Sequence, residues 1–253
     1  MTVPSIWLEK TEVKPYETDF QGRWKPACFF QAMQQAATAH ATRLGLGYET
    51  MVNGSMLWLL ARLKIRFIRI PQLGETLTIR TWPKGVHQKI FFARDFQFLD
   101  QHEELIASAT SAWLLVDTNQ KHIHKPDHSL PADLPISPHL HALDESLEKI
   151  PLPDSLQSCF TITPRYNATD LLGHVNNARY VEWASDCFPF EHYSTKHLDW
   201  IQINYAHEVK PGEQVELAMA RPDNSYEWII VGANISSDTR AFEAAFGWSD
   251  LPA

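Results

Sequence analysis

An internal repeat constrains the fold of this 253-residue chain more than any other feature of its sequence. Residues 16–23 and 167–174 share the pattern Thr-Asp-x-x-Gly, and a proline–glycine–glutamate turn at residues 71–75 recurs at residues 210–213. Ala112-Trp113 likewise corresponds to Gly247-Trp248. The landmarks keep one order, with offsets of 151, 138 and 135 residues. This order indicates a duplicated fold whose second copy has shorter loops.

Each copy starts with a helical pattern and continues with strand patterns. In the first copy Pro26 suits the first turn of a helix, and apolar residues recur at helical spacing until Gly45. In the second copy the helical pattern runs from Val175 to Phe188 and is broken by Pro189. Alternation then predicts strands at residues 62–67, 77–80, 90–99 and 104–117, and again at residues 201–205, 215–219, 226–235 and 240–248. One helix covering an antiparallel meander is an α+β arrangement.

A proline-rich segment separates the copies. We expect a first domain at residues 1–130, an extended linker at residues 131–153 and a second domain at residues 154–253. Histidines cluster around this linker, but no carboxylate or thiolate stands at ligand spacing, so we expect no metal and no other cofactor. These histidines are His122, His124, His128, His139 and His141.

Composition indicates a soluble globular enzyme: 44% of residues are hydrophobic and 21% are charged. No secretory leader pattern and no apolar run of membrane-spanning length is present, so we expect no membrane span. The three cysteines, Cys28, Cys159 and Cys187, have no metal or disulfide spacing, which favours a reducing cytoplasm. No run of basic residues indicates a nucleic-acid partner.

Charge is unevenly distributed along the chain. Residues 1–130 hold 15 Lys and Arg against 12 Asp and Glu, whereas residues 131–253 hold 7 against 18. Such asymmetry is common surface variation, but it also marks where an acidic partner could dock.

Residues 169–180 are the segment most suggestive of chemistry. They place Asp170 and His174 four residues apart around Gly173, at the entry to a helix. Unpaired N–H groups there, near Gly173 to Val175, can stabilise a developing oxyanion. The alternative is a helix-capping aspartate followed by a histidine bonded to backbone, and spacing alone does not choose between the two. Asn176 is either a substrate contact or a helix cap.

The motif Asp-x-x-Gly-His-Val-Asn-Asn-x-x-Tyr resembles the signature of 4-hydroxybenzoyl-CoA-type hotdog thioesterases. The two-copy layout, residues 56–62 and residues 203–209 are similar to the acyl-ACP thioesterases. This resemblance implies a tandem (double) hotdog fold of the α+β class and a catalytic carboxylate at Asp170. It further implies functional roles for His174 and Glu208.

The sequence departs from the plant members of that family at two positions. Leu172 stands where they carry an asparagine, and Val209 occupies the position of their cysteine. A cysteine nucleophile is therefore excluded. In the first copy Arg23 replaces the histidine, so we expect Asp19 to be structural.

The resemblance implies hydrolysis of fatty acyl-ACP to fatty acid and holo-ACP, a step of fatty acid biosynthesis. Asp170 either activates water or attacks the thioester, His174 orients the reacting group and Glu208 holds the network. An acyl-CoA thioesterase and a non-catalytic acyl-thioester-binding protein are the alternatives, and a homodimer is left open. The absence of a His-Phe-Pro-Gly segment argues against a dehydratase.

Three sets of residues are assigned to substrate and carrier. Near the reacting carbonyl we expect Gly173, Val175 and Asn176. By resemblance, the acyl chain enters the first domain, with four candidate lining residues: Met33, Met56, Trp58 and Phe91. Acyl carrier protein is the expected partner, and it would dock on the basic residues Arg62, Lys64 and Arg66.

Overall fold

The computed structural model describes residues 3–120, 122–124, 134–222 and 227–251. The chain divides into two compact units, Met1–Leu147 and Glu148–Ala253. Within the described residues no helix is both long and apolar enough to cross a membrane.

The first unit is an antiparallel sheet with one long helix. Its strands pair in the order β1-β3-β4-β5-β2, and β6 is added beside β5. Its elements are β1 (Trp7–Glu12), α1 (Pro26–Arg43), α2 (Tyr48–Asn53), β2 (Met56–Phe67), β3 (Thr76–His87), β4 (Phe91–Leu99), β5 (Leu105–Asp117) and β6 (His122–Ile123), with a 3₁₀ turn at Pro15–Glu17.

Helix α1 starts at Pro26, where the missing proline N–H costs no helical hydrogen bond. Its apolar face packs on one side of the sheet: the Phe29 ring lies 5.0 Å from Phe67 and 5.1 Å from Phe98. Phe29 and Phe98 are fully buried. Burial of each such ring contributes roughly 2–3 kcal/mol, so this cluster anchors the helix to the sheet.

The second unit repeats this architecture with a shorter helix. Its strands pair in the order β7-β9-β10-β11-β8, which is the first unit's order with each strand replaced by its repeat. Its elements are β7 (Gln157–Ile162), α3 (Asn177–Ser185), α4 (Phe190–Thr195), β8 (Lys196–Tyr205), β9 (Val215–Ala220), β10 (Glu227–Asn234) and β11 (Thr239–Asp250), with a 3₁₀ turn at Tyr166–Ala168.

The repeat extends to irregularities of the sheets. Between β2 and β5 Ala61 is an extra residue beside the pair that contains Trp113. Between β8 and β11 Asp199 is the extra residue beside the pair that contains Trp248. The predicted equivalence of Trp113 and Trp248 is therefore confirmed, as is the tandem α+β fold.

Several elements differ from the sequence prediction. Strands β1 and β7 and the short helices α2 and α4 were not expected. Helix α3 starts two residues later than predicted, because Val175 forms an isolated bridge with Thr169 and Asn176 caps the helix. Tyr226, which was predicted to begin a strand, lies outside the described residues.

Part of the predicted linker packs on the first unit. We call residues 137–147 the strap. The Ser137 N–H donates to the Pro83 carbonyl (2.8 Å), Trp82 Nε1 donates to the Leu140 carbonyl (3.3 Å), and the Ala142 N–H donates to Asp95 Oδ2 (2.7 Å). Strand register places Asp95 and Trp82 on the sheet face opposite α1, so the strap covers that face.

Candidate active site

The candidate site of the second unit is built around a tight turn at Asp170. Gly173 adopts a positive φ of 75°, which a side chain would disfavour, and its N–H donates to the Asp170 carbonyl at 3.0 Å. The Asp170 N–H donates to the His174 carbonyl (2.9 Å), and Asp170 Oδ1 accepts from the Leu172 N–H (2.9 Å). This turn fixes the carboxylate and the imidazole on one short loop.

The first unit contains the same turn with a different outcome for its carboxylate. Asp19 Oδ1 accepts from the N–H groups of Gln21 (2.8 Å) and Arg23 (3.0 Å). Asp19 Oδ2 is held by the guanidinium of Arg23, with Nε at 3.0 Å and Nη2 at 2.9 Å. Both oxygens of Asp19 are therefore engaged. Asp170 Oδ2, by contrast, has no hydrogen-bond partner in the part of the chain that the structure describes.

His174 and Glu208 meet although 34 positions separate them in the sequence. His174 Nε2 lies 3.3 Å from Glu208 Oε2. This contact favours a proton on Nε2, and the lone pair then lies on Nδ1, which is enclosed and finds no partner among the described residues. Glu208 lies in the loop that follows β8. In the same loop, the Val209 carbonyl accepts a hydrogen bond from the Val175 N–H at 2.9 Å.

Tyr180 of α3 lies behind this pair. Only 3% of the residue is exposed, and its hydroxyl oxygen accepts from the Val209 N–H at 3.1 Å. Burial raises the pKa of Tyr180 well above its ordinary value, and the negative charges of Glu208 and Asp170 raise it further. The phenol therefore keeps its proton at neutral pH. Sequence reasoning did not single out this residue.

Of the N–H groups predicted to receive a carbonyl oxygen, those of Gly173 and Val175 already have acceptors, and that of His174 has none among the described residues. The Gly173 N–H is used by Asp170, and the Val175 N–H is used by Val209. The Asn176 side chain caps α3 by accepting from the Ala178 N–H at 2.9 Å. Within the described residues, the N–H groups of His174 and Asn177 have no acceptor. Asn177 is the first residue of α3, and the Asn-Asn pair at a helix start was the signal that could have identified it.

Glu213 is a further carboxylate, in the segment between β8 and β9. Its pKa is lowered mainly by the hydrogen bond from the Lys210 N–H (2.8 Å) and then by the Asn234 amide, with a contribution from the nearby His174. Among the described residues, no group of three or more His, Cys, Asp or Glu side chains is arranged to hold a metal ion. His128 of the predicted histidine cluster lies outside the described residues.

The four predicted acyl-chain residues do not form one group. Met33 is buried in α1, and Met56 and Trp58 lie in β2, where Trp58 packs edge-to-face on Phe92 at 5.0 Å. Phe91 points to the other face of the sheet. There it belongs to an apolar cluster with Ala112 and Leu147. Phe92 is thus a lining candidate that the sequence did not distinguish from its neighbour.

The three predicted docking residues lie under or beside the strap. Arg62 donates to the Leu147 carbonyl, and its guanidinium lies 5.2 Å from the centre of the Phe91 ring. Lys64 and Arg66 both form ion pairs with Glu145. Of these two paired side chains, Arg66 is the more exposed, at 44% against 12% for Lys64.

Sequence comparison assigns both units to one family. The profile of the acyl-ACP thioesterase N-terminal domain matches residues 5–131, and that of the C-terminal domain matches residues 154–249. The chain is 25% identical over 221 residues to a chloroplastic acyl-[acyl-carrier-protein] hydrolase of Cuphea viscosissima, covering 82% of this chain and 53% of that protein. It is 27% identical over 226 residues to chloroplastic oleoyl-acyl carrier protein thioesterase 1 of Arabidopsis thaliana, covering 83% and 62%. The matches therefore span between half and two thirds of these relatives.

Solved structures share the fold. An acyl-ACP thioesterase from Bacteroides thetaiotaomicron superposes with a TM-score of 0.83 at 24% identity, over 97% of this chain and 98% of that one. The 12:0-ACP thioesterase from Umbellularia californica gives a TM-score of 0.77 at 20% identity, with the same coverage.

Proposed function

Because this chain belongs to the acyl-ACP thioesterase family, we propose that it hydrolyses fatty acyl-ACP to a free fatty acid and holo-ACP. The observation that carries the proposal is the difference between the two aspartate turns. Asp19 has both carboxylate oxygens bonded within its turn, whereas Asp170 keeps Oδ2 without a partner among the described residues and stands beside the His174–Glu208 pair. Chemistry at a thioester carbonyl needs such an available base or nucleophile.

Two routes use the same residues. In the first, Asp170 takes a proton from water, the hydroxide attacks the carbonyl carbon, and the carbon–sulfur bond breaks as the carrier thiol leaves with a proton. In the second, Asp170 Oδ2 attacks the carbonyl carbon, the carbon–sulfur bond breaks and the carrier thiolate leaves; water then hydrolyses the acyl anhydride, and the proton it releases neutralises the thiolate. In both routes His174, held by Glu208, orients the reacting group. The N–H groups of His174 and Asn177 receive the carbonyl oxygen.

We also propose domain bounds, an acyl-chain site, a docking residue and a compartment for this chain. The hotdog domains are residues 1–130 and 154–253, joined by residues 131–153. The acyl chain enters the first domain on the sheet face that carries Trp58 and Phe92. Acyl carrier protein docks at the exposed part of the basic set, which is Arg66. The absence of disulfide spacing suits a reducing compartment such as the cytoplasm.

The function is tested by incubating the purified chain with matched acyl-ACP and acyl-CoA thioesters of several chain lengths and measuring release of free thiol. We expect hydrolysis of both, with the higher kcat/KM for acyl-ACP. Preference for acyl-CoA supports the acyl-CoA thioesterase alternative. Binding of acyl thioester without release of thiol supports the non-catalytic alternative.

The assignment of the working half is tested by Asp170→Asn beside Asp19→Asn. We expect Asp170→Asn to lower kcat at least ~100-fold with little change in melting temperature, because an acid–base group is lost while the turn can still form. Asp19→Asn removes the charge that binds Arg23, so it should lower stability and leave kcat within about 2-fold. An active, folded Asp170→Asn protein contradicts the assignment.

A single turnover in H₂¹⁸O separates the two routes. Direct attack by Asp170 leaves ¹⁸O in the Asp170 carboxylate of some molecules, since water can attack either carbonyl of the anhydride. General-base catalysis places ¹⁸O only in the fatty acid. Mass spectrometry of the peptide that contains Asp170 measures whether its carboxylate has gained ¹⁸O.

A further inference from the structure

We infer that Tyr180 is a positioning residue for the reaction, which acts by holding Glu208 against His174. This inference rests on the proposed function, and it concerns a residue outside the aspartate turn and the histidine–glutamate pair. The Tyr180 hydroxyl is bonded to the N–H of Val209, the residue that directly follows Glu208.

The loop around Glu208 is fixed on both sides. Before it, the N–H groups of Ala206 and His207 donate to the Ala241 carbonyl at 2.9 and 3.2 Å. After it, fully buried Val209 is tied through its carbonyl to Val175 and through its N–H to Tyr180. The position of Glu208, which is itself half exposed, is therefore set by its neighbours. Without the Tyr180 hydroxyl, the Val209 N–H would be buried and unsatisfied, and the loop would shift to satisfy it.

The first unit shows the same framework without this hydrogen bond. The Trp24 N–H donates to the Pro71 carbonyl at 2.9 Å, which matches the bond from Val175 to Val209 in the second unit. The residue of α1 equivalent to Tyr180 is Phe29, which lacks the acceptor, and Pro71 lacks the donor.

Donor and acceptor are thus missing together in the unit whose aspartate is fully engaged. The ring that packs on this residue also changes from phenylalanine in the first unit to tyrosine in the second. Phe29 packs on Phe67 in the first unit, and Tyr180 packs on Tyr205 in the second, both edge-to-face at 5.0 and 5.6 Å. Because Phe29 and Phe67 pack well without hydroxyl groups, core packing alone does not require tyrosine at position 180. The Tyr180 hydroxyl is instead found in the unit that we propose to be catalytic.

The first test is Tyr180→Phe, which removes the acceptor and leaves the Val209 N–H without one. We expect kcat to fall about 10-fold and KM to stay within about 2-fold, since a small displacement of a reacting constellation lowers the rate of the chemical step. Tyr193→Phe is the matched control. Tyr193 is a partly buried tyrosine of the same unit whose hydroxyl donates to the Ser185 carbonyl at 2.8 Å, and its loss should leave kcat unchanged.

A double-mutant cycle separates positioning from general stabilisation. If Tyr180 acts through Glu208, adding Tyr180→Phe to Glu208→Gln should lower kcat less than about 2-fold further, because the coupled interaction is already lost. A full 10-fold loss in both backgrounds overturns the inference, and so does a wild-type kcat for Tyr180→Phe alone.

Imidazole ¹⁵N NMR tests the same point without substrate. The His174 ring signals should move in Tyr180→Phe in the direction that Glu208→Gln moves them, and they should not move in Tyr193→Phe. Unchanged His174 signals in Tyr180→Phe overturn the inference, whether or not the protein hydrolyses thioesters. Absence of all thioester hydrolysis by the wild type is instead a failure of the proposed function.

Discussion

At the scale of single residues, the first unit buries a charged side chain beside a neutral one. Arg94 donates to His40 Nδ1 at 3.1 Å, and His40 Nε2 contacts the Pro4 carbonyl at 3.0 Å. Since guanidinium only donates, Nδ1 must accept and the proton must lie on Nε2. Burial, aided by the charge of Arg94, lowers the pKa of His40 to about 4, so His40 is neutral in the folded protein at neutral pH.

This histidine makes stability depend on acidity. The unfolded chain binds a proton at His40 near pH 6.5, and the folded chain binds it only near pH 4, so the free energy of unfolding falls as the pH drops between these values. The loss approaches about 3 kcal/mol at its full extent. Below pH 4 both states are protonated and this contribution changes no further.

We expect His40→Gln to remove most of this pH dependence, because glutamine can accept from Arg94 without titrating. Urea unfolding at pH 7, 6, 5 and 4 provides the measurement. The control is His207→Gln at an exposed site, which should keep the wild-type slope. Identical slopes for wild type and His40→Gln contradict the prediction.

Sequence reasoning predicted charged side chains for the site and did not single out residues whose contacts depend on the fold. Asp170, His174 and Glu208 carry a motif, and the structure brings His174 and Glu208 together. Tyr180 belongs to the same motif, but its partner is a backbone N–H 29 positions away, and only the fold shows that contact. Phe91 and Phe92 are adjacent and chemically identical, so only strand register reveals which one packs on Trp58.

At the scale of elements, the strap modifies the docking hypothesis. Arg62 is bonded to the strap backbone and lies over Phe91, so its guanidinium is engaged by the strap. Arg66 is partly exposed and shares Glu145 with Lys64. An acidic helix of a carrier protein would have to compete with Glu145 for Arg66.

Charge reversal should separate these roles. We expect Arg66→Glu to raise KM for acyl-ACP about 3-fold or more without changing KM for the same acyl group on N-acetylcysteamine, which has no carrier protein. Arg62→Glu should instead lower the melting temperature, because it breaks a hydrogen bond and a cation–π contact together. Equal effects of Arg66→Glu on both substrates would place the docking face elsewhere.

Periodicity predicted eight strands but not β1 and β7, each of which lies at one end of its unit's strand order. The predicted strands at residues 104–117 and 240–248 match β5 and β11 closely, whereas β2 and β8 begin six and five residues earlier than predicted. Strand β1 alternates in burial, yet its charged residues at Glu9, Lys10 and Glu12 are those of an exposed edge, where a strand pattern is weakest. Strand β7 has no charged residue, but three of its six residues are exposed and its burial does not alternate regularly.

At the scale of the whole molecule, both units use the same strand order. In both units the helix, the aspartate turn and the bulge beside a tryptophan recur. The second unit differs at a few positions that supply polar groups: His174 in place of Arg23, Glu208 in place of Ile70, and Tyr180 in place of Phe29. The shared framework keeps the backbone geometry of the two units alike, and under the proposed mechanism these substitutions let the second unit carry the chemistry.

The distribution of charge over the molecule leads to a prediction about association. The net charge of -8 repels an acidic carrier at long range, but residues 1–130 carry three more basic than acidic side chains, and residues 131–253 carry eleven more acidic than basic ones. A carrier that approaches the first part is attracted and one that approaches the second is repelled. Salt screens both effects, since the Debye length falls from about 10 Å at 0.1 M to about 3 Å at 1 M.

The sign of the salt dependence therefore reports the docking face. We expect kcat/KM for acyl-ACP to fall about 3-fold or more between 50 and 500 mM NaCl, because steering toward the basic part is lost. The same acyl group on uncharged N-acetylcysteamine should show almost no change, which controls for effects of salt on the active site. A rise in kcat/KM with salt would mean that the carrier approaches the acidic second part, and the Arg66 docking proposal would then be wrong.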